Sequence, residues 1–478
     1  MDGILKGQPS TCGCGGIGRH ARLRGVWLRP CEFKSRHPHC FHNLIPGVST
    51  PAQSNATLAI VLVSNGPGEV ATWVHPLATH LHRRLELRPQ HSLSPLELRL
   101  ILVPCPNATG REASLADSWN LFEQVLPARR FWALLVNPRR YGPWPRCGVV
   151  VFLGGDQFWS VLLSARLGYQ HLTYAEWVVR WPQWNDRIAA MSTGVRNRLP
   201  RQFRDRCVVV GNLIADLSGE SRGVDALPPG DWVALLPGSK RAKLSVGIPF
   251  LLETVDRLVA NRPSCRFLLP VAPTTNLEEL QYYASAKNPI ASWYRSGITA
   301  VDIPAPDLPG CRRVITNAGT IIHLQESPPA YKQVSQCQLA LTTVGANTAE
   351  LGALGVPMIV IVPTQHLTVM EAWDGWAGLL AHLPGLRSLL GSLLISRHLS
   401  RRGMLAWPNI KAGRLVVPER IGAITPGGIA DEAARWLGSP DQLAAIRDDL
   451  HILRGNTGAV STLAEEVIML LLRSTASF

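Results

Sequence analysis

Acidic residues are few in this chain. Its 34 Asp and Glu stand against 48 Lys and Arg, a formal charge of +14 over 478 residues. Charged residues of both signs make up 17% and apolar ones 46%, which excludes a wholly disordered protein and leaves material for two or three cores. The positive excess suits phosphate-bearing substrates or an acidic membrane surface, although any single Lys or Arg more often serves solubility. Nucleic acid is not expected as a partner, because charge alone suggests it and no recognition motif is present.

Paired cysteine spacing is also missing. Apart from Cys12 and Cys14, the ten cysteines are scattered. No disulfide framework and no metal site are therefore expected, and a reducing cytoplasm fits best. An uninterrupted apolar run of bilayer length is missing too. The nearest, Leu351 to Met370, is broken by Pro357, Pro363 and the polar Thr364-Gln365-His366, so it reads as a buried strand and a loop.

Met1 to Ala56 stand apart, with four of the ten cysteines, four histidines, many arginines and no helical or strand period. A zinc site there lacks a second Cys pair, and a targeting peptide lacks a helical face. The strings GGIGRHARLRG and CEFKSRHPH resemble a transfer-RNA gene conceptually translated. After Met1 the next methionine is Met191, so a non-ATG start such as the codon for Val48 is expected. Residues 1–56 then read as a disordered or mis-annotated extension without function.

Beyond it, Leu58 to Val63 is a continuous apolar run, the pattern of a parallel strand buried on both faces. It enters Ser64-Asn65-Gly66-Pro67-Gly68-Glu69 and then a helix carrying Trp73, Leu77 and Leu81, the opening of a Rossmann-like unit. This loop lacks the dinucleotide glycine pattern and a P-loop Lys, so neither NAD nor ATP is indicated. Glu69 is an acid placed where backbone can approach a ligand closely. A plain tight turn would need only the glycines and the proline. Strands are predicted at Leu98 to Val103 and at Val149 to Leu153, the latter ending in Gly154-Gly155-Asp156. The aromatic segment Tyr174 to Trp184 reads either as core or as a groove for sugar or acyl chains. Cys207 to Asn212 gives another strand and turn, leading to Asp216.

A linker at Pro228-Pro229-Gly230 precedes a second unit. Strand Val233 to Leu236 runs into Pro237-Gly238-Ser239-Lys240-Arg241 and a helix, a loop offering N–H groups and cations to a diphosphate. Later, Thr342 to Asn347 leads into a helix from Thr348 that carries Glu350, then a strand from Pro357 to Val362. Glu350 could accept both ribose hydroxyls of a nucleotide, or simply favour the helix dipole.

These strings resemble one family in order. LLPGSKRAKL, VGANTAELGALGVPMIV, WPNIKAGRLVVPE and VVVGNLIADL are similar to segments of lipid-A-disaccharide synthases, collinear over residues 57–470. The resemblance implies an α/β chain of GT-B type, two Rossmann-like domains facing a cleft. Residues 57–225 would form the acceptor domain, 226–440 the nucleotide-sugar domain, and 441–478 helices packing back on the cleft. It implies inverting transfer of an acylated glucosamine from a UDP donor, a co-substrate with no other cofactor, to an acylated glucosamine 1-phosphate. The family acts as peripheral membrane proteins on the inner face of the plasma membrane, often as homodimers. By the same resemblance Glu350 holds the ribose, and Gly238, Ser239, Lys240 and Arg241 face the diphosphate. Gly345, Asn347 and Thr348, with Asn409, Gly413, Arg414 and Glu419, belong to or complete the nucleotide site. The base is Glu69 or Asp156.

Three departures from the family pattern stand out. The first loop keeps only Glu69 as a nearby acid, Lys240 replaces an Arg, and Asp156 alone remains of a two-aspartate run. A different glycolipid or soluble acceptor, or nucleotide-sugar binding without catalysis, are the rival readings. A basic amphipathic stretch from Leu386 to Leu405 is a candidate for membrane contact.

Overall fold

Leu58 to Ser64 are buried along their whole length, and burial on both faces needs helices on both sides and parallel neighbours. The computed structural model supplies both. It describes residues 57–476 apart from 87–95, 106–107, 109, 219–226, 273–274, 309, 327–329 and 367–402. The extension 1–56, most of the basic stretch 386–405 and the expected boundary at 225/226 lie outside the described residues.

The first sheet joins β1 (Leu58–Ser64), β2 (Leu96–Leu102), β3 (Gln124–Leu126), β4 (Cys147–Phe152), β5 (Gln170–Ala175), β6 (Arg187–Ala190) and β7 (Cys207–Val209). All are parallel, in the order β3-β2-β1-β4-β5-β6-β7. Helices α1 (His75–Glu86), α2 (Phe131–Val136) and α3 (Gln157–Leu167) cover it. Between β1 and α1 the chain makes a π-helical turn at Val70–Val74.

The second sheet holds β8 (Asp231–Leu236), β9 (Cys265–Pro270), β10 (Ile298–Pro304), β11 (Arg312–Thr316), β12 (Ile321–Gln325), β13 (Leu339–Thr343), β14 (Met358–Pro363) and β15 (Glu419–Gly422). Its order is β10-β11-β12-β9-β8-β13-β14-β15, parallel except where β11 runs against β10 and β12. Helices α4 (Arg241–Asn261) and α5 (Ala346–Leu354) follow β8 and β13, and α6 (Trp407–Ala412) precedes β15. The apolar run at Leu351 is the end of α5 and the buried strand β14, as its prolines indicated. Among the described residues no helix is long and apolar enough to cross a membrane.

Two further helices close the chain. α7 (Pro440–Arg454) packs on α5 in the second domain, whereas α8 (Ala459–Ala476) crosses back to the first. Ala459, Val460, Leu463, Ala464 and Val467 of α8 join the core formed by β1, β4 and α1. Asp216 accepts hydrogen bonds from Gly458 N and Val460 N, capping α8, and Arg187 holds Glu466 through two bonds of 2.6 and 3.1 Å. The last helix therefore lies on the first sheet and staples the two halves. Two Rossmann-like domains joined in this way are the GT-B architecture.

Candidate active site

In an open parallel sheet, ligands collect where the strand order reverses, beyond the carboxyl ends of the strands. The first sheet reverses between β1 and β4 and the second between β8 and β13. The segments leaving these four strands are Asn65 and Gly66 with the helical turn Pro67–Glu69, then Gly154 to Asp156, Pro237 to Lys240 before α4, and Val344 and Gly345 before α5. The two switch points meet. A Cβ on Gly68 would stand 3.2 Å from the Cβ of Ala346, at the N-terminus of α5.

Glu69 is pinned in this contact. A methyl on Gly66 would come within 2.5 Å of its Oε2, and one on Gly154 within 3.0 Å of its Cβ and Cγ. A side chain at either position would displace Glu69 from this place, which ties the glycines of two separate loops to one carboxylate. Beside it, Ser64 Oγ and Asn65 Oδ1 are buried without a hydrogen-bond partner among the described residues. A buried polar atom costs free energy until it is paired, so this strand end has spare hydrogen-bonding capacity.

Asp156 is engaged elsewhere. Its Oδ1 accepts from Phe158 N at 3.0 Å, capping α3, and its Oδ2 pairs with Arg180 at 3.3 Å. Of the two candidate bases, Glu69 is the one held at the meeting of the domains.

Across the gap, burial and then the charge of Glu69 raise the carboxyl of Glu350 from 4.5 to about 7. Its side chain touches solvent, yet the carboxyl group is densely surrounded by protein. A third carboxylate, Glu176 at the end of β5, was not foreseen. Its pKa is raised by burial and by Glu69, against the pull of hydrogen bonds from the Trp407 and Trp177 indoles and of the Lys411 charge. Trp407 Nε1 donates to Glu176 Oε1 at 3.2 Å, so α6 of the second domain is tied directly to the first. Like charges this close disfavour simultaneous ionisation. That repulsion adds to burial in raising the carboxyls of Glu350 and Glu176.

The glycine loops of the second sheet converge on another residue that motif reading passed over. Lys243, in the first turn of α4, is buried and donates to Val344 O in the neighbouring loop. Gly238 (φ +98°) and Gly345 (φ +143°) both lie in the left-handed region. A Cβ on Gly238 would sit 2.8 Å from Lys243 Cδ, and one on Gly345 2.7 Å from its Nζ. The lysine thus threads between the two loops. Thr343 Oγ1, donating to Pro237 O at 3.2 Å, is a second tie. Ser239 and Lys240 are partly exposed and Arg241 is exposed at the start of α4, so N–H groups and cations share one edge.

The remaining expected residues divide. Gly345 and Asn347 stand at the N-terminus of α5. Thr348 is buried there: it donates to Gly345 O at 2.8 Å and accepts from Trp407 N at 3.0 Å. Asn409 is fully buried; its amide donates to Val417 O and Glu419 Oε1 and accepts from Val416 N and Val417 N. Glu419 in turn accepts from Leu405 N, Ala406 N and Asn409. These two side chains hold the start of α6, and with it Trp407, in place. Gly413 ends α6 in the left-handed conformation, and Arg414 points to Asp449 of α7 at 2.7 Å.

No protein-family profile matches the chain. Among curated proteins it is 30% identical over 240 residues to a lipid-A-disaccharide synthase of Syntrophus aciditrophicus, covering 50% of this chain and 48% of that protein. The lipid-A-disaccharide synthase of Myxococcus xanthus is 27% identical over 249 residues, covering 50% and 49%. Over about half its length, then, the chain is similar to lipid-A-disaccharide synthases. It spans about half the length of the curated relatives it matches. Among solved structures, the Staphylococcus aureus MnaA–UDP co-structure superposes with a TM-score of 0.48 at 11% identity, over 87% of this chain and 97% of that one. That likeness is too loose to bear on the site.

Proposed function

We propose that this chain is a hexosyltransferase that moves a sugar, in the family an acylated glucosamine, from a UDP donor to a lipid acceptor such as acylated glucosamine 1-phosphate. The observation that carries the reading is the meeting of the two switch points, which sets Glu69 opposite Glu350 and the Lys243-threaded glycine loops. The donor's diphosphate fits the edge formed by Gly238, Ser239 and the N-terminus of α4. Lys240, Arg241 and Lys243 supply charge there to stabilise UDP as it leaves. Glu350, once ionised, accepts the ribose hydroxyls, with Gly345, Asn347 and Thr348 shaping the turn beneath. Asn409 and Glu419 act at one remove by holding α6, and Arg414 by docking α6 on α7.

Glu69 takes the proton of the acceptor hydroxyl as that oxygen attacks the anomeric carbon, and the sugar–phosphate bond breaks on the opposite face. One displacement inverts the configuration. The departures in the first loop, together with the engagement of Asp156 by its own helix, favour a second reading in which the acceptor is another glycolipid.

The test is turnover. The full chain, UDP-N-acetylglucosamine or its acylated form, and a lipid extract are incubated and UDP release is followed with the product's anomeric configuration. Inverted glycolipid that disappears in Glu69→Gln supports the proposal. UDP-sugar that stays intact in every extract would overturn it.

A further inference from the structure

Glycosyl transfer gives no task to Glu176, a half-buried carboxylate directly after β5. Its oxygens only accept, so they need donors there, because burying an unpaired charge is costly. Those donors come from two sides. The Trp177 indole is its neighbour in the chain, whereas the Trp407 indole and the Lys411 charge belong to α6 of the second domain.

Trp407 faces two ways. Its Nε1 donates to Glu176 at 3.2 Å, while its backbone N donates to Thr348 Oγ1 at 3.0 Å. The same hydroxyl donates to Gly345 O at 2.8 Å, across the turn that opens α5. The indole also lies along α5, where a Cβ on Gly352 would be in van der Waals contact with it at 3.8 Å. Lys411 Nζ stands 4.7 Å from the ring centroid and is itself fixed on Leu453 O at 2.6 Å.

The ring is therefore clamped between Glu176, α5 and Lys411. A packed side chain passes a displacement on rather than absorbing it, and here it passes it to Thr348, two residues before Glu350. The approach of Gly68 to Ala346 joins the first domain to the same turn, but that contact is apolar and sets no direction. Hydrogen bonds do set one.

We propose that Glu176 is a positioning residue: from the opposite domain, and through Trp407 and Thr348, it sets the first turn of α5 and with it Glu350. The nucleotide site is then completed by a residue of the first domain that acts at two removes. The inference rests on the transfer reading for the ligand that Glu350 receives, whereas the path from Glu176 to α5 needs only the fold.

The test compares Glu176→Gln with Glu176→Leu in the full chain, by UDP calorimetry at pH 8. Both remove the charge, so any repulsion of the diphosphate is lost equally, but only Gln keeps an oxygen that accepts from the indole. UDP should bind about fivefold more weakly to the Leu variant than to the Gln variant, the weight of one neutral hydrogen bond. Placing both on Trp407→Phe, which keeps a ring beside Gly352 but has no N–H, should erase that difference. Hydrogen exchange gives a reading that needs no ligand. Amides Thr348 to Glu350 should exchange faster in the Leu variant than in the Gln variant, with the strands of the first sheet unchanged. Should Glu176→Leu fail to fold, Trp407→Phe against the wild type carries the same comparison. Equal UDP affinity of the Gln and Leu variants, a difference that survives Trp407→Phe, or equal exchange at α5 would overturn the proposal. A wild type that binds no UDP, with the exchange difference present, would sink the transfer reading and leave this one standing.

Discussion

Replacing Glu350 by Gln should stabilise the protein at alkaline pH and leave it unchanged in acid. Burial and Glu69 raise the carboxyl from 4.5 to about 7 in the folded chain. Between those values the folded state keeps a proton that the unfolded state has released, so stability falls as pH rises from about 4.5 to about 7 and is level on either side. One pKa step corresponds to about 1.4 kcal/mol, so the full loss is about 3 kcal/mol. Gln cannot ionise, so Glu350→Gln escapes that loss. Urea unfolding of both proteins from pH 4 to pH 8 would measure it, and the difference between them cancels the titrating groups that are not coupled to Glu350. The variant's advantage should be near zero at pH 4 and grow to about 3 kcal/mol by pH 8. A difference that stays flat, or that shrinks with pH, would refute a buried proton at this site.

Four other substitutions probe the neighbouring parts. Lys243→Met keeps the bulk but removes the charge between the loops; UDP affinity should fall about 10- to 100-fold by calorimetry, in line with a charged hydrogen bond. Gly154→Ala would push on Glu69 from 3.0 Å, so turnover should drop about 100-fold while UDP affinity holds, a split read from steady-state kinetics and titration. Asp156→Asn keeps a helix cap and should retain near-normal turnover, whereas Glu69→Gln should abolish it; the opposite ranking would move the base to Asp156. Asn409→Ala strands two N–H groups, a carbonyl and Glu419, and should cost about 2–4 kcal/mol in urea unfolding.

The parts legible in the sequence are those whose physics is local. Strands buried on both faces read as unbroken apolar runs, as at Leu58 to Val63 and Met358 to Val362. Glycine-rich strand ends mark the four loops, because backbone in the left-handed region or pressed against a neighbour needs glycine. Glu176 was illegible because its partner, Trp407, lies more than two hundred residues away and in the other domain. Lys243 looked like one more cation in a basic turn; only the positions of Gly238 and Gly345 show that it is threaded between them. Asn409 and Glu419 sit in a segment that matches the family string, and a matching string does not distinguish a ligand contact from the scaffold beneath it. The aromatic segment left two readings open, core or groove, and the structure divides it: Tyr174 is core, while Trp177 and Trp184 are surface.

The central claim is that the facing switch points hold a uridine diphosphate sugar through Glu350 and the Lys243-tied loops. Calorimetric titration of UDP into the wild type and Glu350→Ala at pH 8, where the carboxylate is ionised, tests it most directly. The account predicts saturable one-to-one binding by the wild type that weakens at least about tenfold in the variant. Equal affinity in the two proteins, or no binding by the wild type, would contradict it.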